Sequence, residues 1–414
     1  MNPNISTRFF VALLGATAIT SISTSGRATP SESCYDAMAR PRVIYVAGSS
    51  GAKPFLGVVA QLLAKDPTPY TIVYQSQGSC TGVSAVYSPD PNQRRIWDIP
   101  AAAGKPSNYA VYFGSDGVTS TECSLGMDGT NVDVGVSDVY ASTCGLNAPD
   151  GVQIGNYEGP IQAMTFVVPS ASQQKSISAE AAYMVFGMGG NNGVAAPWND
   201  PSLYFVRNAS SGTQQMIARA IGVPAEKWWG GDRGASGAVR DNMKLLLDPA
   251  SAEGAIGILS TDITDAERSN LRVLAFQAKG QTCGFWPDST PLKEDKANVR
   301  DGHYPIWGPI HFYTRLTNKL PSAAAGTLVS RFAVQRLDQP LVDAIIDNHL
   351  VPRCAMQVTR SEEMGPLSPY STDSRCGCYF DARANGATSC KPCKGPGDCP
   401  TAQPVCSYGY CEST

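Results

Sequence analysis

Little in this sequence of 414 residues suits a metal centre, a nucleic-acid surface or a membrane span. There are three histidines, none after His349, so the cysteine-rich end lacks the mixed ligands of most zinc modules. Basic charge is not in excess: 32 Lys and Arg stand against 35 Asp and Glu. The formal net charge of −3 becomes −5 without residues 1–28, which carry Arg8 and Arg27 and no acid. A chain with no basic field displaces few counterions, which argues against nucleic acid. A small anion is not excluded, because local dipoles and a single arginine can hold one in a buried site. After the N-terminal segment no stretch approaches the ~18 uninterrupted apolar residues that a bilayer-spanning helix needs. A Gly-x-Ser-x-Gly nucleophile elbow is missing, as are a metal-ligand cluster and paired carboxylates at a catalytic spacing. No cofactor, metal or catalytic residue is therefore assigned.

What is present begins with an export signature. Arg8 supplies a charge, Phe9 to Ile22 is mostly apolar, and small residues lead to Gly26-Arg27-Ala28, so residues 1–28 read as a signal peptide cut after Ala28. The alternative is a disordered tail. Lipid anchoring is disfavoured, since Cys34 follows Ser31-Glu32-Ser33 with no Leu-like residue three places before it. Thirteen cysteines, eight of them after residue 350, support the periplasm or the secreted and cell-envelope space, where disulfides persist. Five body cysteines, Cys34, Cys80, Cys123, Cys144 and Cys283, leave one over, either free or paired with the tail.

The middle of the chain repeats one grammar. Val43 to Ala47 is an apolar, β-branched run closed by Gly48-Ser49-Ser50-Gly51, with a helical pattern over about 54–64. Tyr70 to Tyr74, Gln75 to Gly78 and a helix start at Ser79 form a second copy, and Val132 to Val136 with Ser137-Asp138 a third. Such strands predict an open parallel sheet that gathers ligand groups at its carboxyl ends. The segment from about Ser88 to Thr130 reads as an irregular insertion. Ile161 to Val168 reads as a buried strand opening a second domain, with a helix over Ala179 to Phe186. Leu203 to Val206, the turn Arg207 to Thr213 and a helix over Gln214 to Ile221 make a fourth copy. Further strands are expected at Ala255 to Leu259, Leu271 to Phe276 and Pro305 to Tyr313. The expected division is a first domain of residues 40–158 and 263–350, a second of 159–262, and a separate Cys-rich tail of 354–414.

Four turns carry the chemistry: Ser49-Ser50-Gly51, Gly78-Ser79-Cys80-Thr81, Ser137-Asp138, and Arg207 with Ser211-Gly212-Thr213. Hydroxyls and free backbone N–H groups at helix starts form an anion receptor, and an arginine fork fits two oxygens of a tetrahedral anion. Taken singly, each serine or threonine is as readily a helix N-cap, and Asp138 could cap the next helix.

The order and spacing of these turns resemble the periplasmic phosphate-binding proteins of phosphate ABC importers. The matching runs are Gly48-Ser49-Ser50-Gly51-Ala52-Lys53-Pro54, Tyr74-Gln75-Ser76-Gln77-Gly78-Ser79-Cys80-Thr81-Gly82, Asp133-Val134-Gly135-Val136-Ser137-Asp138, Arg207 to Thr213, and Ala255-Ile256-Gly257-Ile258, within about residues 43–315. The resemblance implies an α/β class II periplasmic binding protein fold: two doubly wound domains joined by hinge strands, here with a small disulfide-rich tail. It also implies that Ser50, Gly51, Ser79, Asp138, Arg207, Ser211, Gly212 and Thr213 contact inorganic phosphate or a similar oxyanion. An ABC permease or surface partner and a monomeric state are implied too. Three positions depart from the pattern: Ser50 stands for threonine, Cys80 for the second serine, and Ala209 for the acid that holds the arginine.

An ionised Asp138 accepts hydrogen bonds and donates none, so it welcomes hydrogen phosphate and opposes sulfate, which has no proton to give. Binding by groups from both domains requires cleft closure, with hinges expected near 155–161 and 261–270. Two other functions compete. One is a phosphatase-like hydrolase, although His303 and His311, on either side of Tyr304-Pro305-Ile306, read as structural. The other is an adhesive or structural envelope protein, to which Cys390-x2-Cys393-x5-Cys399-x6-Cys406-x4-Cys411 lends weight, since it resembles small modules of secreted bacterial proteins.

Overall fold

The computed structural model describes residues 28–36, 40, 42–102, 107–114, 116–190 and 194–413; the signal-peptide reading, apart from Ala28, falls outside them. Strand β1 (Val43–Gly48) pairs in parallel with β2 (Thr71–Ser76) on one side and with the strand Val134–Ser137 on the other. Helix α1 (Lys53–Ala64) follows β1, and α2 (Ser79–Tyr87) follows β2. These β-branched runs are buried on both faces, as a parallel strand covered by helices must be. Gly48 is obligatory here: its φ is 142°, and a Cβ would lie 1.8 Å from the carbonyl oxygen of Val136.

Two long antiparallel strands, Gln153–Pro169 and Trp307–Leu316, carry this sheet toward a second set of strands. Trp307–Leu316 pairs with Val134–Ser137 through His311 to Tyr313, while the far half of Gln153–Pro169 pairs with Ile256–Ser260. Tyr204–Val206 and Gly231–Asp232 then complete that side in parallel with Ile256–Ser260, giving one path within an eleven-stranded sheet. One apolar core lies between α1, β1, β2 and the helix Gln339–Asp347, where Phe55, Ile44, Phe312 and Ile345 meet. Another surrounds Phe166, Phe186, Phe276 and Tyr304. Among the described residues no helix is long and apolar enough to cross a membrane.

Three expectations change. The segment 88–130 is not irregular throughout: Ala110–Phe113 and Ser120–Cys123 extend the sheet beyond β2, and Cys123 is tied to Cys34. Leu271–Val273 pairs with Val167 to Pro169, and Ala275–Gln277 with Ser176–Ser178, so this stretch stands with the second set of strands, whereas it was expected with the first. Tyr304, Ile306 and Trp307, expected with the first domain, also pack in the core around Phe166, and Trp307 pairs with Ala163. An apolar run reports burial and is silent about which neighbour it pairs with.

The tail, expected as a separate module, is built into the body. Cys354, Cys376, Phe380 and Tyr408 belong to the core around Phe166, and the Arg300 guanidinium lies 4.9 Å over the Phe380 ring. Arg383 forms a fork on Asp347 at 2.6 and 2.7 Å, and the Tyr408 hydroxyl donates to the Leu337 carbonyl. Its disulfides are Cys354–Cys376, Cys378–Cys390, Cys393–Cys406 and Cys399–Cys411. Body pairs are Cys34–Cys123 and Cys80–Cys144, which leaves the exposed Cys283 as the odd thiol.

Candidate oxyanion site

The four turns meet. Ser49 follows β1, and its hydroxyl accepts from the amides of Gly51 (3.1 Å) and Ala52 (3.3 Å), so it, and not Ser50, serves the start of α1. The same Oγ donates to Asp138 Oδ2 at 2.5 Å. Ser79, at the first position of α2, donates to Asp138 Oδ2 and accepts from the Asp138 amide, both at 3.1 Å. Asp138 is buried, caps no helix, and has Oδ1 without a hydrogen-bond partner among the described residues. Burial raises its pKa from the ordinary carboxylate range, while the Ser49 and Ser79 hydroxyls and the Arg207 charge pull it down.

Arg207 closes the opposite wall. It is buried after the strand Tyr204–Val206, and desolvation lowers its pKa to about 10, so it is cationic at neutral pH. Nε donates to the Gly234 carbonyl, Nη1 to Ser236 Oγ, and Nη2 to Ser50 Oγ at 2.9 Å. The acid missing at Ala209 is thus replaced by a carbonyl and a hydroxyl from the turn 234–236, which fix the guanidinium without neutralising it. Ser211 caps the helix Gly212–Ile221 by accepting from the Gln214 amide, leaving Gly212 and Thr213 at its first two positions, where helix amides lack intrahelical carbonyls. Gly212 abuts the first wall: a Cβ there would lie 2.3 Å from Ser79 Oγ and 2.8 Å from Asp138 Oδ2. The Cys80 amide donates to the Ser210 carbonyl at 2.9 Å, a backbone bond between the two walls.

All eight expected residues therefore fall into one cluster, with one change of part: the Gly51 amide is taken by Ser49. The sequence matches the PBP superfamily domain over residues 23–335. The chain belongs to that family. Its fold is shared with a protein described as a phosphate ABC transporter substrate-binding protein, with bound phosphate, from Clostridium perfringens. The two are 13% identical with a TM-score of 0.50, over 75% of this chain and 99% of that one. An ABC-type phosphate transport receptor from Vibrio cholerae is 14% identical, with a TM-score of 0.44, over 74% of this chain and 99% of that one. No curated protein matches the sequence.

Within this PBP superfamily site, several residues escape sequence reasoning. Ser236 follows a strand of two residues, Gly231–Asp232, too short to give a periodic signal, although Gly234-Ala235-Ser236 before a helix has the composition of the other turns. Gln162 comes from the middle of the strand Gln153–Pro169, Ser260 from the end of the strand Ile256–Ser260, and Asp262 from the helix Thr261–Ala266. Ser260 Oγ and Gln162 Nε2 lie 3.2 and 3.5 Å from where a Gly51 Cβ would stand, so they line the same space. Cys80, at the position of the pattern's second serine, is bonded to Cys144 and ties the start of α2 to the turn after Asp138. The buried His311 stands opposite Ser137 in the sheet; it donates from Nδ1 to Asn156 Oδ1 at 2.9 Å, stacks on Tyr313 and lies tilted against Tyr140, and among the described residues its ring has no other hydrogen-bond partner.

Proposed function

We propose that this PBP superfamily protein is an extracytoplasmic solute-binding protein that holds inorganic phosphate, or a similar tetrahedral oxyanion, between the Ser50, Ser79 and Asp138 turns and the Arg207 to Thr213 turn. The observation that carries the reading is the pairing of a fixed, buried, cationic Arg207 with the unpartnered Oδ1 of Asp138. Arg207 attracts two oxygens of the anion, with hydroxyls and helix-start amides around them. Asp138 Oδ1 accepts a hydrogen bond from the hydroxyl that hydrogen phosphate carries and sulfate lacks, so the carboxylate acts as a filter. Six disulfides fit an oxidising compartment, which supports export; delivery to an ABC permease or surface partner by a monomer belongs to the same proposal. A hydrolase reading gains nothing from the site, since no serine in it is paired with a histidine: His311 is engaged with Asn156.

Calorimetry on the mature protein tests this. Phosphate should bind in the micromolar range or tighter, with sulfate at least about a hundredfold weaker, about 2.8 kcal/mol. Equal affinity for the two anions would remove the filter, and phosphomonoester turnover that survives chelators would restore the hydrolase.

A further inference from the structure

A second carboxylate lies behind the anion-binding turns and has no part in the reading above. Asp262 is buried at the start of the helix Thr261–Ala266, and its Oδ1 accepts from Gln162 Nε2 at 2.9 Å. Gln162 Oε1 and Ser260 Oγ, both buried, have no hydrogen-bond partner among the described residues, and both border Gly51. The Gly51 amide leads through Ser49 Oγ to Asp138. Two buried carboxylates, Asp138 and Asp262, thus bracket one turn of the site, and each raises the cost of ionising the other. Among the described residues no cation stands beside Asp262 to relieve this. On its own helix Asp265 is engaged with Lys296 and Arg268. On the neighbouring strand Arg272 donates to the carbonyls of Ser170 and Ser172. Arg207 acts on Asp138 across the cluster.

We infer that Asp262, with Gln162 and Ser260, makes ligand binding depend on one further proton, so that the site takes a tetrahedral oxyanion in its singly charged, twice-protonated form or takes the doubly charged form together with a proton on Asp262. The inference rests on the phosphate reading. Either route places the same number of protons in the complex: Asp138 accepts one hydrogen bond from the ligand, and the second proton is shared between the ligand and Asp262. Burial, opposed by the Ser260 hydroxyl, raises the Asp262 pKa to about 7, with the Asp138 charge adding to the rise. Inorganic phosphate loses its second proton near neutrality as well. Above that point binding must recover a proton from solvent, so affinity falls as pH rises.

The test is calorimetry with inorganic phosphate at about pH 6 and about pH 8.5, in two buffers of different ionisation enthalpy to count protons, on the parent, Asp262→Asn and Ser260→Ala. The parent should take up close to one proton at the higher pH and lose affinity by about tenfold per pH unit above neutrality. Asp262→Asn should flatten the slope by at least half. Ser260→Ala removes a nearby hydroxyl dipole that favours the ionised carboxylate and should move the midpoint upward, a shift available even where the Asn variant fails to fold. No phosphate binding by the parent at either pH overturns the phosphate reading and this inference with it. Phosphate binding with no proton uptake, or with one profile shared by the parent and both variants, overturns this inference alone.

Discussion

Replacing Arg207 with alanine isolates the largest electrostatic contribution to the proposed site. Three of its five N–H donors are engaged by Gly234, Ser236 and Ser50, which leaves two for an anion. A hydrogen bond to a charged group contributes about 1.5–3 kcal/mol, so losing two costs about 3–6 kcal/mol of affinity, roughly a hundredfold to ten-thousandfold in Kd. The fold should tolerate the change better than the ligand does. Ser50 Oγ and Ser236 Oγ already share a hydrogen bond of 3.1 Å, which can persist once the guanidinium is gone and leaves the Gly234 carbonyl as the main orphan. Loss of stability should therefore stay near ~1–2 kcal/mol. Lysine should recover only part of the affinity, because a compact ammonium keeps the charge but cannot span the three partners that hold the planar fork. Calorimetry with inorganic phosphate, paired with urea unfolding of each variant, reads both quantities. An Arg207→Ala protein that is folded and binds phosphate within about threefold of the parent would refute the assignment of Arg207 as the anion's partner.

Three further outcomes follow from the packing. Gly212→Ala introduces a Cβ 2.3 Å from Ser79 Oγ, which should cost about 1–3 kcal/mol of stability and weaken phosphate binding at least about tenfold; unchanged affinity would separate the two walls. Ending the chain at residue 355 removes Phe380 and the partner of Cys354, so thermal unfolding should drop sharply or the protein should fail to fold, and Phe380→Ala alone should cost about 3 kcal/mol; an unaltered melting temperature would make the tail a separate module after all. Burial holds the His311 pKa at about 3, below its ordinary 6.5, so the stability it contributes is present above 6.5 and is lost as pH falls toward 3. Between about pH 6.5 and about pH 4.5 the parent should lose about 2–3 kcal/mol more than His311→Gln in urea unfolding, and equal losses would mean that the ring titrates freely.

Local chemistry alone settled a good part of this protein. Strands such as Val43–Gly48 are written in β-branched apolar runs, and each closes on glycine, serine or aspartate because a turn into a helix requires small residues and amide acceptors. That grammar is short-range, so the parallel strands and the four turns were legible in it, while the eight candidate residues came from the family resemblance that those turns carry. The odd cysteine count likewise announced one unpaired thiol. What the chain does with long-range partners was not legible. Ser49 and Ser50 are adjacent and chemically alike, and only the tertiary structure sends one to Asp138 and the other to Arg207. The absence of an acid at Ala209 said that Arg207 needed another support, but not that the turn at Gly234 and Ser236 supplies it from a strand too short to leave a pattern. Gln162 and Ser260 look like polar interruptions in buried strands until the crossing of Gln153–Pro169 with Ile256–Ser260 brings them beside Gly51. The same holds for the tail, where cysteine spacing gives the count of bridges while the burial of Phe380 depends on a surface assembled from residues far earlier in the chain. Pairing and convergence are decided by which surfaces the whole fold removes from water, and that information is spread over the full length of the sequence.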